Sequence, residues 1–185
     1  MNTNFNSFEV IAYFTERLMY SLNRYASQEK QYNDENGAPI FGGISLPYSD
    51  ILPYERAKGK IILLSEFTES YPNKHYAQIY ADRNKSKSLF KYRRKFSVIF
   101  IIKNNIKKNW ISNGIKIGKI SVYNEREILY QPFSFYFVKE VMIDLENYTA
   151  DIYLETIGKK EILEEKIKLG KEIKYNEKEK IIEIK

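Results

Sequence analysis

Asn124-Glu125-Arg126-Glu127-Ile128-Leu129-Tyr130-Gln131-Pro132-Phe133-Ser134-Phe135-Tyr136 is the stretch that decides the fold. A charged Glu-x-Glu runs straight into large apolar residues. Pro132 interrupts the run, and an aromatic alternation follows. Burying an unpaired carboxylate is expensive. Two glutamates on one face at the lip of an aromatic strand therefore point to a cleft that uses them. Phe133, Phe135 and Phe137 alternate, so they are expected to share one sheet face and to serve as core rather than as a cofactor platform.

Outward from this stretch, the second half of the chain reads mostly as strand. Phe96 to Ile102 is its most apolar segment and is expected to be a central strand. Glu127–Phe133, Ser134–Ile143 and Thr149–Thr156 follow as strands joined by turns. Residues 110–117 stay unassigned. In the tail, Ile173–Lys174 and Ile181–Ile184 suit a closing hairpin around Asn176-Glu177, adding strands to a sheet edge, its own or a neighbour's.

The first half carries the helices. Phe8, Ile11, Ala12, Leu18, Met19 and Leu22 recur at helical spacing, which predicts a helix over 5–26. Asn6 suits its cap and Glu9 the capping box, with Phe5 and Val10 as a hydrophobic staple. Polar residues 27–38 read as a loop. Pro39 to Leu46 reads as a strand holding Gly42 and Gly43, which suggests a bulge or a close backbone approach. A short helix over 49–58 closes at Gly59. A strand over 60–67 and a helix over 71–82 follow, the latter with Tyr76, Ala77, Tyr80 and Ala81 on one side. Helices first and strands later, without regular alternation, predict an α+β fold.

Length and composition narrow the classes. A chain of 185 residues with 43% hydrophobic content suits one domain with a proper core. With no cysteine, it has no disulfide, thiolate catalysis or cysteine-based zinc site, and His75 is its single histidine. No metal site is expected. No apolar run is long enough to span a membrane, and residues 1–6 lack the start of a signal peptide. The expected setting is intracellular and cytoplasmic. The net charge is +6. Its one dense basic run, Lys91-Tyr92-Arg93-Arg94-Lys95, comes without an RNA-binding motif, so nucleic acid is not the favoured partner.

The motifs line up with a known family. In mono-ADP-ribosyltransferases of the Arg–Ser–Glu class, an opening strand carries Tyr-Arg-Gly, followed by Leu-Pro, a short helix and Gly-Lys. This chain has Phe41-Gly42-Gly43-Ile44-Ser45-Leu46-Pro47, then Gly59-Lys60. The family's Phe-Thr-Ser-Thr-Ser strand is matched by Phe67-Thr68-Glu69-Ser70-Tyr71, and its Glu-x-Glu by Glu125-Arg126-Glu127. From about residue 8 to 157 the chain resembles that domain. The resemblance implies an ADP-ribosyltransferase-like split, mostly antiparallel sheet with an N-terminal helix. Residues 1–157 form the domain and 158–185 its C-terminal strand extension.

The resemblance also assigns roles. The family's opening Arg pairs with a phosphate of NAD. Its first Ser orients the catalytic Glu, and the second Glu of Glu-x-Glu stabilises an oxocarbenium-like transition state. Here the Arg position is Gly42, which forfeits a charge-assisted bond worth roughly 1.5–3 kcal/mol. The first Ser position is Glu69, which repels pyrophosphate, and the last is Tyr71. Glu127 and Glu125 are the catalytic candidates if the protein is active. Gly42, Gly43, Thr68 and Ser70 are vestigial cofactor-binding positions. Arg56 and Arg83 are the cations considered as stand-ins for the missing Arg. The reading is a degenerate ADP-ribosyltransferase-like module with no cofactor, bound to protein partners in a larger assembly. The competing reading is an active NAD-dependent enzyme with a divergent first strand.

Overall fold

The computed structural model describes residues 15–22, 24–25, 37–66, 68–83, 94–104, 114–117, 126–158, 173–176 and 181–184. Residues 15–22 and 24–25 are helical (α1). The expected cap and staple at residues 5–10 lie outside the described residues. The elements that follow are β1 (Ile40–Pro47), α2 (Tyr48–Arg56), β2 (Ile61–Leu64), β3 (Thr68–Ser70), α3 (Lys74–Arg83) and β4 (Lys95–Lys103). Then come β5 (Gly114–Lys116), β6 (Ile128–Tyr130), β7 (Ser134–Asp144), β8 (Thr149–Ile157), β9 (Ile173–Asn176) and β10 (Ile181–Ile184).

The strands form two sheets. One has seven strands in the order β1-β4-β8-β7-β2-β10-β9, and the other has three in the order β3-β6-β5. Every pairing is antiparallel except β4 with β8. The fold is thus α+β, as the order of elements predicts, with the split, mostly antiparallel sheet that the resemblance implies.

The unbroken apolar run of β4 follows from burial on both faces. Phe96, Val98, Phe100 and Ile102 face the main core with Ile40, Tyr136, Val138, Ile152 and Leu154. Ile99 joins Tyr71, Ala77 and Ala81 in a second cluster beneath α3. A third cluster seats α1 on the small sheet, with Leu22 against Ile115, Tyr25, Ile117 and Leu129.

Local chemistry sets the element ends. The Asn73 side-chain oxygen accepts the His75 N–H at 2.9 Å, capping α3. Beyond α2, Gly59 adopts φ 75°, and its N–H donates to the Val138 carbonyl at 2.8 Å. At the β7–β8 turn, the Asp144 carboxylate accepts the N–H groups of Glu146 and Asn147, each at 2.9 Å. The tail hairpin joins the chain's own sheet: Ile181 pairs with Ile62 and Ile182 with Ile61.

Two expectations are corrected. The strand expected over 127–133 is β6 alone, ending at Tyr130, and Pro132 and Phe133 form a turn. Phe133 sits at φ 59° and is 49% exposed. The aromatic stripe therefore does not form the core face of β7. Ser134, Tyr136 and Val138 are buried there instead, leaving Phe135 and Phe137 half-buried.

Candidate functional site

Gly42 and Gly43 lie in β1 for different reasons. Gly43 faces α3, where a Cβ would stand 1.7 Å from the Ala77 carbonyl oxygen. The helix packs on β1 because no side chain intervenes. Gly42 pairs with Phe100 on the opposite face. A Cβ there would stand 3.2 Å from the Glu69 carbonyl oxygen and 3.5 Å from the Ser70 hydroxyl. The gap is narrow because Phe41 and Tyr71 exchange both backbone hydrogen bonds, each at 2.8 Å, stapling β1 to the end of β3.

Beside Gly42 opens a cleft of about 760 Å³. Its walls include Gly42, Gly43 and Leu46 of β1, Asp50, Tyr54 and Arg56 of α2, Phe100 of β4, and Glu66, Thr68 and Glu69. Burial pushes the Tyr54 hydroxyl up to about 12, with Glu66 and Asp50 adding to it, so the local field is negative. Among the described residues, Arg56 brings the one cationic side chain to these walls.

Glu127 and Ser70 do not line this cleft. Glu127 is 9% exposed, and its carbonyl accepts the Ile117 N–H at 2.9 Å, extending the β5–β6 pairing. The β3–β6 register sets Ser70 opposite Ile128, so the next position brings Tyr71 opposite Glu127. Tyr71 is 2% exposed and stacks on Tyr80 at 5.4 Å. Its hydroxyl is pushed far up by burial, then by its hydrogen bond to Tyr80, then by the nearby Glu127 and Glu69 charges. Tyr71 thus stands within the fields of both glutamates.

Glu125 lies outside the described residues. The expectation that 125 and 127 share a face falls there too; among the described residues, Arg126 adopts φ 54° and β6 begins at Ile128. Ser70 is wholly buried, and its hydroxyl makes no hydrogen bond. Among the described residues, no group of three or more His, Asp or Glu could hold a metal ion. No described helix is long and apolar enough to cross a membrane. His75 is exposed on α3. The sequence reading missed Asp50, Tyr54 and Glu66, whose convergence depends on how α2 packs on β1 and β7.

No protein-family model matches the chain, and no curated protein sequence does. Solved structures do match. The ADP-ribosyltransferase Vis bound to its M6 inhibitor aligns with a TM-score of 0.60 at 17% identity, over 86% of this chain and 64% of the other. The Vis toxin of Vibrio splendidus aligns at 0.58 and 17% identity with the same coverage. The chain therefore spans 64% of the length of those Vis chains. The likeness shows the fold: the chain has the architecture of ADP-ribosyltransferases.

Proposed function

We propose that this chain is a catalytically degenerate ADP-ribosyltransferase-like domain, retained as an interaction module in a larger assembly. The observation that carries this reading is Gly42 itself, which supplies no cation to the cleft it lines. The family's cation would start there, and a Cβ would sit tightly, 3.2 Å from the Glu69 backbone oxygen. The cleft charge agrees, with Asp50, Glu66 and Glu69 on its walls against Arg56. A pyrophosphate placed among those carboxylates is repelled. NAD does not fit these residues, and no cofactor is assigned. An intracellular, cytoplasmic setting and a protein partner belong to the same proposal.

The test is a transferase assay on the full chain with labelled NAD. No nicotinamide release and no protein-bound ADP-ribose should appear. Gly42→Arg and Glu69→Ser together should be needed before any activity is seen. Robust transfer by the natural sequence that disappears in Glu127→Gln overturns the proposal. Size-exclusion and pull-down from native extract test the module role, which fails if the chain runs only as a free monomer with nothing bound.

One observation favours the second reading, an active NAD-dependent enzyme. Arg56 reaches the cleft from α2 and is a cation where Gly42 offers none. If it has taken over the phosphate contact, NAD binding is present and is lost in Arg56→Ala.

A further inference from the structure

One residue stands between Glu127 and the strand that opens the cleft. The β3–β6 ladder sets Ser70 against Ile128, so Tyr71 falls opposite Glu127. On its other side the same Tyr71 bridges to Phe41 of β1. The bond from the Ile117 N–H to the Glu127 carbonyl shows that the β5–β6 pairing runs on to residue 127. Across the strands the order is therefore Phe41, Tyr71, Glu127. Cross-strand partners project to one face, and the Glu127 charge acts on the Tyr71 hydroxyl, which agrees with that placement.

The Tyr71 ring is held from several directions. It stacks on Tyr80 with centroids 5.4 Å apart and planes 4° apart, and the Tyr76 ring lies at 6.0 Å. Its hydroxyl is hydrogen-bonded to Tyr80. Ala77 and Ala81 of α3 belong to the same buried cluster, and their small side chains leave room for a flat ring. The backbone staple to Phe41 fixes where the side chain starts. Tyr76 and Tyr80 are only half-buried, whereas Tyr71 is 2% exposed. The best-covered of the three rings is thus the one beside the buried carboxylate of Glu127.

We infer that the Tyr71 ring is an internal plug: it fills the space through which a ligand in the cleft would reach the Glu127 carboxylate. The inference rests on the degenerate reading and adds what closes Glu127 off, a block separate from the missing cation at Gly42 and from the charge of Glu69.

The experiment is carbodiimide coupling of glycinamide to the folded full chain, with each carboxylate followed by peptide mass spectrometry. In the natural protein Glu127 should label far more slowly than Glu140, which is exposed on β7. Tyr71→Ala should bring Glu127 toward the Glu140 rate, and Tyr71→Phe, which keeps the ring, should stay near the natural rate. Phenol added to Tyr71→Ala should restore protection in a saturable way, because a cavity left by a deleted side chain takes a small molecule of that shape. General loosening would not respond to phenol. Thermal unfolding checks that each variant is folded. Should Tyr71→Ala not fold, Tyr71→Leu, which gives up the flat ring but keeps an apolar side chain, carries the labelling comparison. The inference is overturned if Glu127 labels as fast as Glu140 in the natural protein, if it stays protected once the ring is removed, if Tyr71→Phe opens it equally, or if phenol leaves it open in folded Tyr71→Ala. No arm contains NAD, so any of these results leaves the degenerate reading standing. Transfer by the natural chain overturns that reading instead.

Discussion

The two adjacent glycines of β1 respond to different constraints, and substitution separates them. At Gly43 an added methyl meets the backbone oxygen of Ala77 at 1.7 Å, which no side-chain rotation relieves. Gly43→Ala should destabilise by ~3 kcal/mol in urea unfolding. At Gly42 the nearest atom is 3.2 Å away. The reduced freedom of the unfolded chain partly offsets that crowding, so Gly42→Ala should stay within about 1 kcal/mol of the natural protein. Equal costs at the two positions would contradict the account. Tyr54 supplies a pH test. Its folded-state pKa of about 12 lies above the unperturbed 10.0. The stability it contributes is therefore complete below pH 10 and is lost as pH rises toward 12. Tyr54→Phe should flatten the alkaline limb of the stability profile, and an unchanged limb would exclude this role. At this scale the sequence exposed the glycine pair and the missing cation. It could not expose Tyr54, because an isolated tyrosine gives no sign of which carboxylates will face it.

Elements were more legible than their junctions. The Tyr76, Ala77, Tyr80 and Ala81 face of α3 packs where its spacing predicts. Its start is marked by Asn73, whose side chain accepts the His75 N–H. Asn73→Ala should lower stability by about 1 kcal/mol, measurable by denaturant titration. No change would mean that the cap contributes nothing beyond solvent. The misread element is the aromatic stripe. Period-2 spacing assigns Phe133, Phe135 and Phe137 to one face, but the rule applies only inside a strand. Pro132 and a left-handed Phe133 end β6, and the chain then enters a different sheet with Tyr136 and Val138 inward. Next to Glu127, Arg126 adopts φ 54°, a backbone state that period-2 spacing does not anticipate. Positive φ at a non-glycine residue leaves no mark in composition.

The described strands form two sheets, joined where Phe41 and Tyr71 exchange backbone hydrogen bonds and where β6 passes into β7. Tyr130 of the small sheet meets Tyr136 of the large one edge-on at 5.9 Å. The Tyr130 hydroxyl also donates to the Asn104 side-chain oxygen at 2.8 Å. The α+β class and the split sheet were readable because helix-period segments precede strand-period ones and the motifs keep the family's order. The distance between Glu127 and the cleft was not readable, since it depends on how β3 and β6 pair and on the Tyr71 side chain set beside them. At the large sheet's far side, the tail hairpin covers the edge of β2. Ending the chain before residue 171 should expose that edge and raise self-association in sedimentation experiments. A monomeric, equally stable truncation would deny the hairpin this role. The account's central claim concerns the cleft, and NAD binding tests it most directly. A ligand that binds the native state must raise its thermal midpoint. Titrating NAD into the full chain while following unfolding should give no shift at any concentration up to several times that of the protein; a saturable rise, lost in Arg56→Ala or Glu127→Gln, would contradict the degenerate reading.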